Sequence, residues 1–330
     1  MLLFRKEQSD RLIVFKVDKI SERNCFDAVY EKSDWHVASS EAPDFVCRRN
    51  ERPVLGVEVT EFFSTESDAR LEKIKGYSLD LLSGGKHRHK ADIEAVKLGK
   101  LIFNSQKIDC IMRDWPSFKE RVSLFTKCIG AKERKASSYL SDCPAVDLLV
   151  KDCAGILGFS DFAVFLLMLR SFLNTTQIVA SPFREIFVIT RHDDGRSIYF
   201  SLKLNIVVAE ILALEHLIRE KFLEKDQDGK KISFSLLLSC LSHSGFSSIQ
   251  VRIDEQVLCL HWGPWELRYD AVGKKIQDTI YFPEVSQIGD PIRDLIAEMA
   301  DKELQMAEQI VALRPTVAKC APLFFQTRNA

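Results

Sequence analysis

The chain has 330 residues, 46 Lys plus Arg against 47 Asp plus Glu, and 46% hydrophobic residues. That balance describes a folded protein and excludes disordered and fibrous classes, while the length exceeds what one hydrophobic core usually serves. A net charge of -1 gives no global attraction to nucleic acid or anionic lipid, so any such affinity must come from a local patch. The longest clean apolar run, residues 162–169, ends at Arg170, too short for a membrane span, and nothing near Met1 reads as a secretory signal. A cytoplasmic protein without a membrane partner is expected. The nine cysteines form no C-x-x-C pair and read as reduced thiols; the seven histidines form no H-E-x-x-H.

In chain order, residues 11–17 read as a strand, 21–31 as a helix capped by Ser21, and 35–38 as a short strand. Residues 44–49 and 54–61 flank Asn50-Glu51-Arg52-Pro53 and read as a hairpin with a four-residue connection. Residues 64–82 and 91–103 have helical spacing, separated by Ser83-Gly84-Gly85 and a basic loop. A longer helix is expected over 118–140, a buried strand over 145–150, and a very apolar helix over 161–173. Strands at 185–190 and 197–202 flank Asp193-Asp194-Gly195. A helix from 205 to 221, a charged stretch at 224–231 and a helix at 232–242 follow. Short strands at 249–253, 257–262, 266–269 and 279–282 precede a helix over 290–313. The expected organisation is an α/β unit over residues 1–205 and a smaller, accessory α+β unit of unknown role over 206–330.

Nucleotide-binding and hydrolase motifs are missing: there is no P-loop, no G-x-G-x-x-G and no G-x-S-x-G. The most informative feature is Pro43-Asp44 opening one strand of the hairpin, with Glu58-Val59-Thr60-Glu61 ending the other. Period-two alternation puts Leu55, Val57 and Val59 on one face and Glu58 and Thr60 on the other. In simple register Asp44 lies close to Glu58. Two carboxylates so placed repel unless a cation neutralises them, and an oxygen-rich site suits Mg²⁺ or Mn²⁺. An ion pair between Asp44 and Arg48 is the competing explanation.

These residues resemble the PD-(D/E)xK nuclease superfamily, including uncharacterised bacterial members whose second strand reads E-V-T-E. The likeness extends to Lys132, Lys135 and Tyr139 before the strand at 147–150, and to the F-x-x-I-F pattern at 183–187, covering about residues 20–205. It implies a restriction-endonuclease-like mixed sheet flanked by helices. It also implies that Asp44, Glu58 and the Val59 carbonyl hold the metal and that a lysine positions or activates the attacking water. Many members carry a further metal-site glutamate on the first helix, which makes Glu22 a candidate, although the helix dipole also explains an acid there.

The sequence departs from the pattern at Thr60, which stands where the lysine is expected. A hydroxyl cannot replace an ammonium in stabilising developing negative charge. On a 3.6-residue period Phe118, Val122, Phe125, Ile129, Lys132 and Ala136 share one stripe, so Lys132 faces the core and is the candidate replacement, with Lys75 as its rival. From residue 84 to 107, Lys86, Arg88, Lys90, Lys97, Lys100 and Lys107 outnumber Asp92 and Glu94, a patch suited to phosphates; Lys86, Arg88 and Lys90 are its leading contacts. Trp262 and Trp265 are candidates for base stacking or for the core.

The expected function is therefore metal-dependent hydrolysis of phosphodiester bonds in nucleic acid, DNA before RNA, and the bacterial resemblance accords with a defence role. The alternative is a nuclease-fold module that lost turnover with its lysine and binds nucleic acid or a protein. The second unit is the candidate surface for a homodimer or a protein partner.

Overall fold

A computed structural model describes residues 19–30, 35–103, 106–113, 116–154, 173–191, 197–222, 234–254, 257–270, 273–278, 290–296 and 301–317. Helix α1 (Lys19–Val29) leads into three antiparallel strands, β1 (His36–Ser39), β2 (Phe45–Arg49) and β3 (Arg52–Phe62). Next come α2 (Glu66–Lys73), α3 (Tyr77–Leu82), α4 (Asp92–Ala95) and an antiparallel ribbon, β4 (Val96–Phe103) with β5 (Gln106–Arg113). Helix α5 (Phe118–Tyr139) then returns the chain to β6 (Val146–Asp152), and α6 (Thr175–Val179) precedes β7 (Ile186–Arg191) and β8 (Ser197–Ser201). The six-stranded mixed sheet has the order β1-β2-β3-β6-β7-β8, with β3, β6 and β7 mutually parallel.

The parallel centre explains the apolar runs. Leu148, Leu149 and Val150 of β6 are fully buried because helices cover both faces. On one face Cys25, Phe26 and Val29 of α1 meet Phe45, Val57, Val59, Leu149 and Phe187. On the other, the α5 stripe of Val122, Phe125, Ile129 and Ala136 is buried in the cluster that holds Phe62, Leu148 and Val150. Ser117 starts α5 with a capping box: its hydroxyl accepts from the Glu120 N–H while the Glu120 carboxylate accepts from Ser117 N–H.

Beyond the first sheet, α7 (Leu202–Phe222) and α8 (Phe234–His243) lead to β9 (Gln250–Asp254), β10 (Val257–Trp262), β11 (Trp265–Tyr269), β12 (Lys274–Asp278) and β13 (Asp290–Pro291). These form a five-stranded antiparallel sheet in the order β12-β11-β10-β9-β13, followed by α9 (Ile292–Ile296) and α10 (Asp301–Val317). Residue 205 falls inside α7, and one buried cluster runs from Leu148 and Ile186 through Leu214 to Leu260 and Trp265. Among the described residues, no helix is long and apolar enough to cross a membrane.

Several expectations change. Ser21 lies inside α1 instead of capping it, with its hydroxyl donating to Glu61 at 3.3 Å. The hairpin connection is only Asn50-Glu51, both with positive φ (50° and 65°), a tight turn that matches the strand twist, so Arg52 and Pro53 belong to β3. Gly76, at φ 73°, divides the expected helix over 64–82 into α2 and α3. Helix over 91–103 is replaced by one turn of α4 and then β4: Val96, Leu98 and Ile102 occupy alternate positions of an eight-pair ribbon. In the last segment Asp290 and Pro291 pair with β9, so helix starts at Ile292, and β12 is an additional strand. The expected elements at 11–17, 224–231 and 279–282, most of 161–173, and the turn at 193–195 lie outside the described residues.

Candidate active site

Strands β2 and β3 pair as far as Phe45 opposite Val57, and there β2 ends. Asp44 fills the gap that this leaves: its Oδ2 accepts the Val59 N–H at 2.8 Å, in place of the next ladder bond. Gly56 makes the approach of this segment to β3 feasible, because a Cβ there would stand 2.7 Å from Cγ of Pro43. Glu58 and Thr60 point to the α5 side of the sheet, where both are buried.

Lys132 meets Glu58 there. Its Nζ donates to Glu58 Oε1 at 2.6 Å, and both side chains are nearly inaccessible. An ammonium on the buried stripe of a helix requires such an anion, because desolvation of an unpaired charge costs several kcal/mol. One turn earlier, Cys128 Sγ lies 4.0 Å from Thr60 Oγ1. Two turns after Lys132, the Tyr139 hydroxyl faces Glu58; burial, and then the carboxylate, push its pKa up. Cys128 and Tyr139 were not expected at the site, although i, i+4 and i, i+7 spacing from Lys132 puts all three on one helical stripe.

The charge balance is negative. Asp44 has its pKa raised from 3.8 to about 6, first by burial and then by Glu58, with Glu22 adding to the effect and the Val59 N–H and Lys132 opposing it. Glu22 is buried on α1 and pairs with Lys19 at 2.9 Å, so it reaches Asp44 through its field. Glu22, Asp44 and Glu58 do not form a compact three-carboxylate cage: among the described residues only Cys259, His261 and Glu266 bring three metal-ligating atoms within 4.8 Å of one another. That second group holds a guanidinium already, with Arg252 Nη2 3.7 Å from Cys259 Sγ and 3.9 Å from Glu266, which disfavours a cation there.

Arg48 donates to the Glu51 carbonyl at 3.3 Å, at the far end of the hairpin. Lys75 is exposed. Glu61, on the opposite face from Glu58, is held by Lys73 of α2 and by Lys151 of β6 at 3.0 Å. Lys86, Arg88 and Lys90 are in the loop before α4, with Arg88 stacked 5.3 Å from the Tyr77 ring centroid. Trp262 and Trp265 belong to the core, and Trp265 Nε1 donates to buried Glu185 at 2.6 Å, so neither is a stacking platform. No family model matches the chain, and no curated protein or solved structure is significantly similar to it.

Proposed function

We propose that this chain is a metal-dependent nuclease of the PD-(D/E)xK type that hydrolyses phosphodiester bonds in nucleic acid. The observation that carries the reading is the Lys132 ammonium 2.6 Å from Glu58: α5 delivers a cation to the face where Thr60 lacks one. The donor set fits Mg²⁺ or Mn²⁺, being carboxylate oxygen in a pocket where burial, and then the negative charge of Glu58, raise the Asp44 pKa. Asp44 and Glu58 are the residues that would hold the ion, with the Val59 carbonyl, while Glu22 and Lys19 tune the field at Asp44. When bound, the cation neutralises phosphate charge and lowers the pKa of a water. Lys132 would donate a hydrogen bond to the attacking water or to a phosphate oxygen, with Glu58 keeping its ammonium oriented. The Tyr139 hydroxyl, facing Glu58 from the same helix, keeps that carboxylate in place.

The same ion pair favours a second reading, because an ammonium already on Glu58 competes with a divalent ion. In that case the chain binds nucleic acid without cutting it. Incubating single- and double-stranded DNA and RNA with the protein in Mg²⁺ or Mn²⁺ separates the two. Cleavage that Asp44→Asn and Glu58→Gln abolish, and that Lys132→Met slows by about 10²–10³-fold, supports the nuclease. Binding with no cleavage in either metal supports the module, and full activity in Asp44→Asn sinks the metal site.

A further inference from the structure

The β4–β5 ribbon leaves its chemistry unused. Its two strands pair only with each other, and no third strand covers either edge among the described residues. Isolated two-stranded ribbons are marginal unless something else holds them, and here the root does so. Val96 and Ile111 pack with Leu71, Tyr77 and Leu81. Beneath them the fully buried Asp92 accepts from Arg70 and Ser67, each at 2.7 Å, and from Tyr77 at 2.9 Å. Helix α2 in turn reaches β3 through the Lys73–Glu61 ion pair, three residues beyond Glu58. The ribbon is thus anchored to the strand that carries the candidate site.

From its root to its tip the ribbon presents large apolar side chains to solvent. Ile102 is 75% exposed, and Leu98, Ile108 and Met112 are each close to half exposed. Register places Leu98, Lys100, Ile102 and Lys107 on one face, and Lys97, Ile108 and Met112 on the other. Both faces therefore combine apolar and cationic groups, and the only acid among the exposed ribbon side chains is Asp109, 3.9 Å from Lys100. Lys86, Arg88 and Lys90 lie just before the ribbon in the chain.

We propose that this ribbon is an arm that enters a groove of double-stranded DNA and holds the duplex against the Asp44–Glu58 site; the assignment rests on the nuclease reading for its substrate. The charge is complementary to phosphate, whereas a second copy of the arm would bring like charges together. A lipid surface needs one apolar face, and this ribbon has none, because lysines project from both. A major groove about 12 Å wide admits a two-stranded ribbon, so that lysines on both faces reach phosphates on either wall. The deep, narrow major groove of an RNA helix does not. Exposed Ile102 near the tip and Met112 nearer the root are suited to apolar contact with base edges in that groove.

The test uses the full chain. Binding of a fluorescent DNA duplex is followed by anisotropy across a salt series, with Mg²⁺ present and in an Asp44→Asn background to prevent cutting. Lys97→Ala/Lys100→Ala/Lys107→Ala is expected to weaken duplex binding by about tenfold or more and to lower the slope of log K against log salt by about 3. Ile102→Ser and Met112→Ser, both at exposed positions, are expected to weaken binding with no change in slope. In the wild-type background all three leave hydrolysis of a small diester, bis(p-nitrophenyl) phosphate, unchanged. Equal duplex affinity and slope in parent and variants overturns the arm alone. So does a loss confined to phosphatidylserine vesicles or to self-association in sedimentation. An Asp44→Asn parent that does not bind duplex, together with a wild-type chain that hydrolyses neither duplex nor bis(p-nitrophenyl) phosphate, overturns the nuclease reading as well.

Discussion

Asp44 sits where burial and two neighbouring acids act on one carboxyl, and its behaviour against pH follows from that. Its folded pKa, about 6, lies above the 3.8 of an unperturbed aspartate, so the folded metal-free chain binds more protons than the unfolded chain between those values. Stability of the metal-free protein is therefore expected to fall as pH rises from about 4 through 6, and the Asp44→Asn variant to flatten that part of the curve. Thermal unfolding of both proteins across this range, in chelator, checks it. Under the proposed metal-site reading a divalent ion displaces that proton, so Mg²⁺ is expected to raise the melting temperature more at about pH 7.5 than at about pH 5.5, and the difference to vanish in Asp44→Asn. Lys132 is the other decisive residue. Its place on the apolar stripe of α5 was legible from periodicity, but its contact with Glu58 spans 74 positions and depends on how α5 crosses β3.

At the scale of elements, the hairpin is the device that builds the site. A tight Asn50-Glu51 turn sets the register, and the end of β2 at Phe45 leaves the Val59 N–H for Asp44. Gly56 holds this arrangement open, so Gly56→Ala is expected to push the Pro43 ring away and loosen the Asp44–Val59 bond. Under the proposed nuclease reading the checks are a cleavage rate lowered by about tenfold or more, as misplacement by about 1 Å can cost more than this, and unchanged far-UV circular dichroism. An unaltered rate would mean that the Pro43 contact does not position Asp44. The ribbon was the element misread from sequence. Val96, Leu98, Ile102 and Phe103 fit a helical face as readily as a strand, and a short apolar run does not decide between the periods.

On the scale of the whole molecule, buried polar bonds tie the two sheets together. Glu185, just before β7, accepts from the N–H groups of Ile186, Lys203 and Leu204 and from Trp265 Nε1, at 2.6 to 3.2 Å. It thus caps α7 and holds β11 of the second sheet at once. The neighbouring Asp147 is fully buried and takes Arg184 and, at 2.6 Å, the Tyr30 hydroxyl. Glu185→Gln presents an amide donor to a nest of donors, and is expected to lower stability by about 1–3 kcal/mol in urea unfolding. Trp265→Phe removes one of those bonds and is expected to cost less. A single unfolding transition shared by both sheets is the further expectation, since the apolar cluster is continuous from Leu148 to Leu260.

What the sequence by itself determined was local: strand alternation around Glu58, the buried stripe of α5, and the lysine missing at position 60. These depend on side-chain size and charge at the helix and strand periods of a single segment, which the backbone geometry of that segment fixes. Tertiary structure alone decided that Lys132 meets Glu58, that Glu22 acts on Asp44 from helix α1, and that Trp265 anchors on Glu185. It also turned residues 96–113 into a ribbon. The first three join segments distant in the chain, where burial of apolar surface selects the partner and buried charge accepts only a partner that neutralises it; the ribbon is held by its packing on α2 and α3.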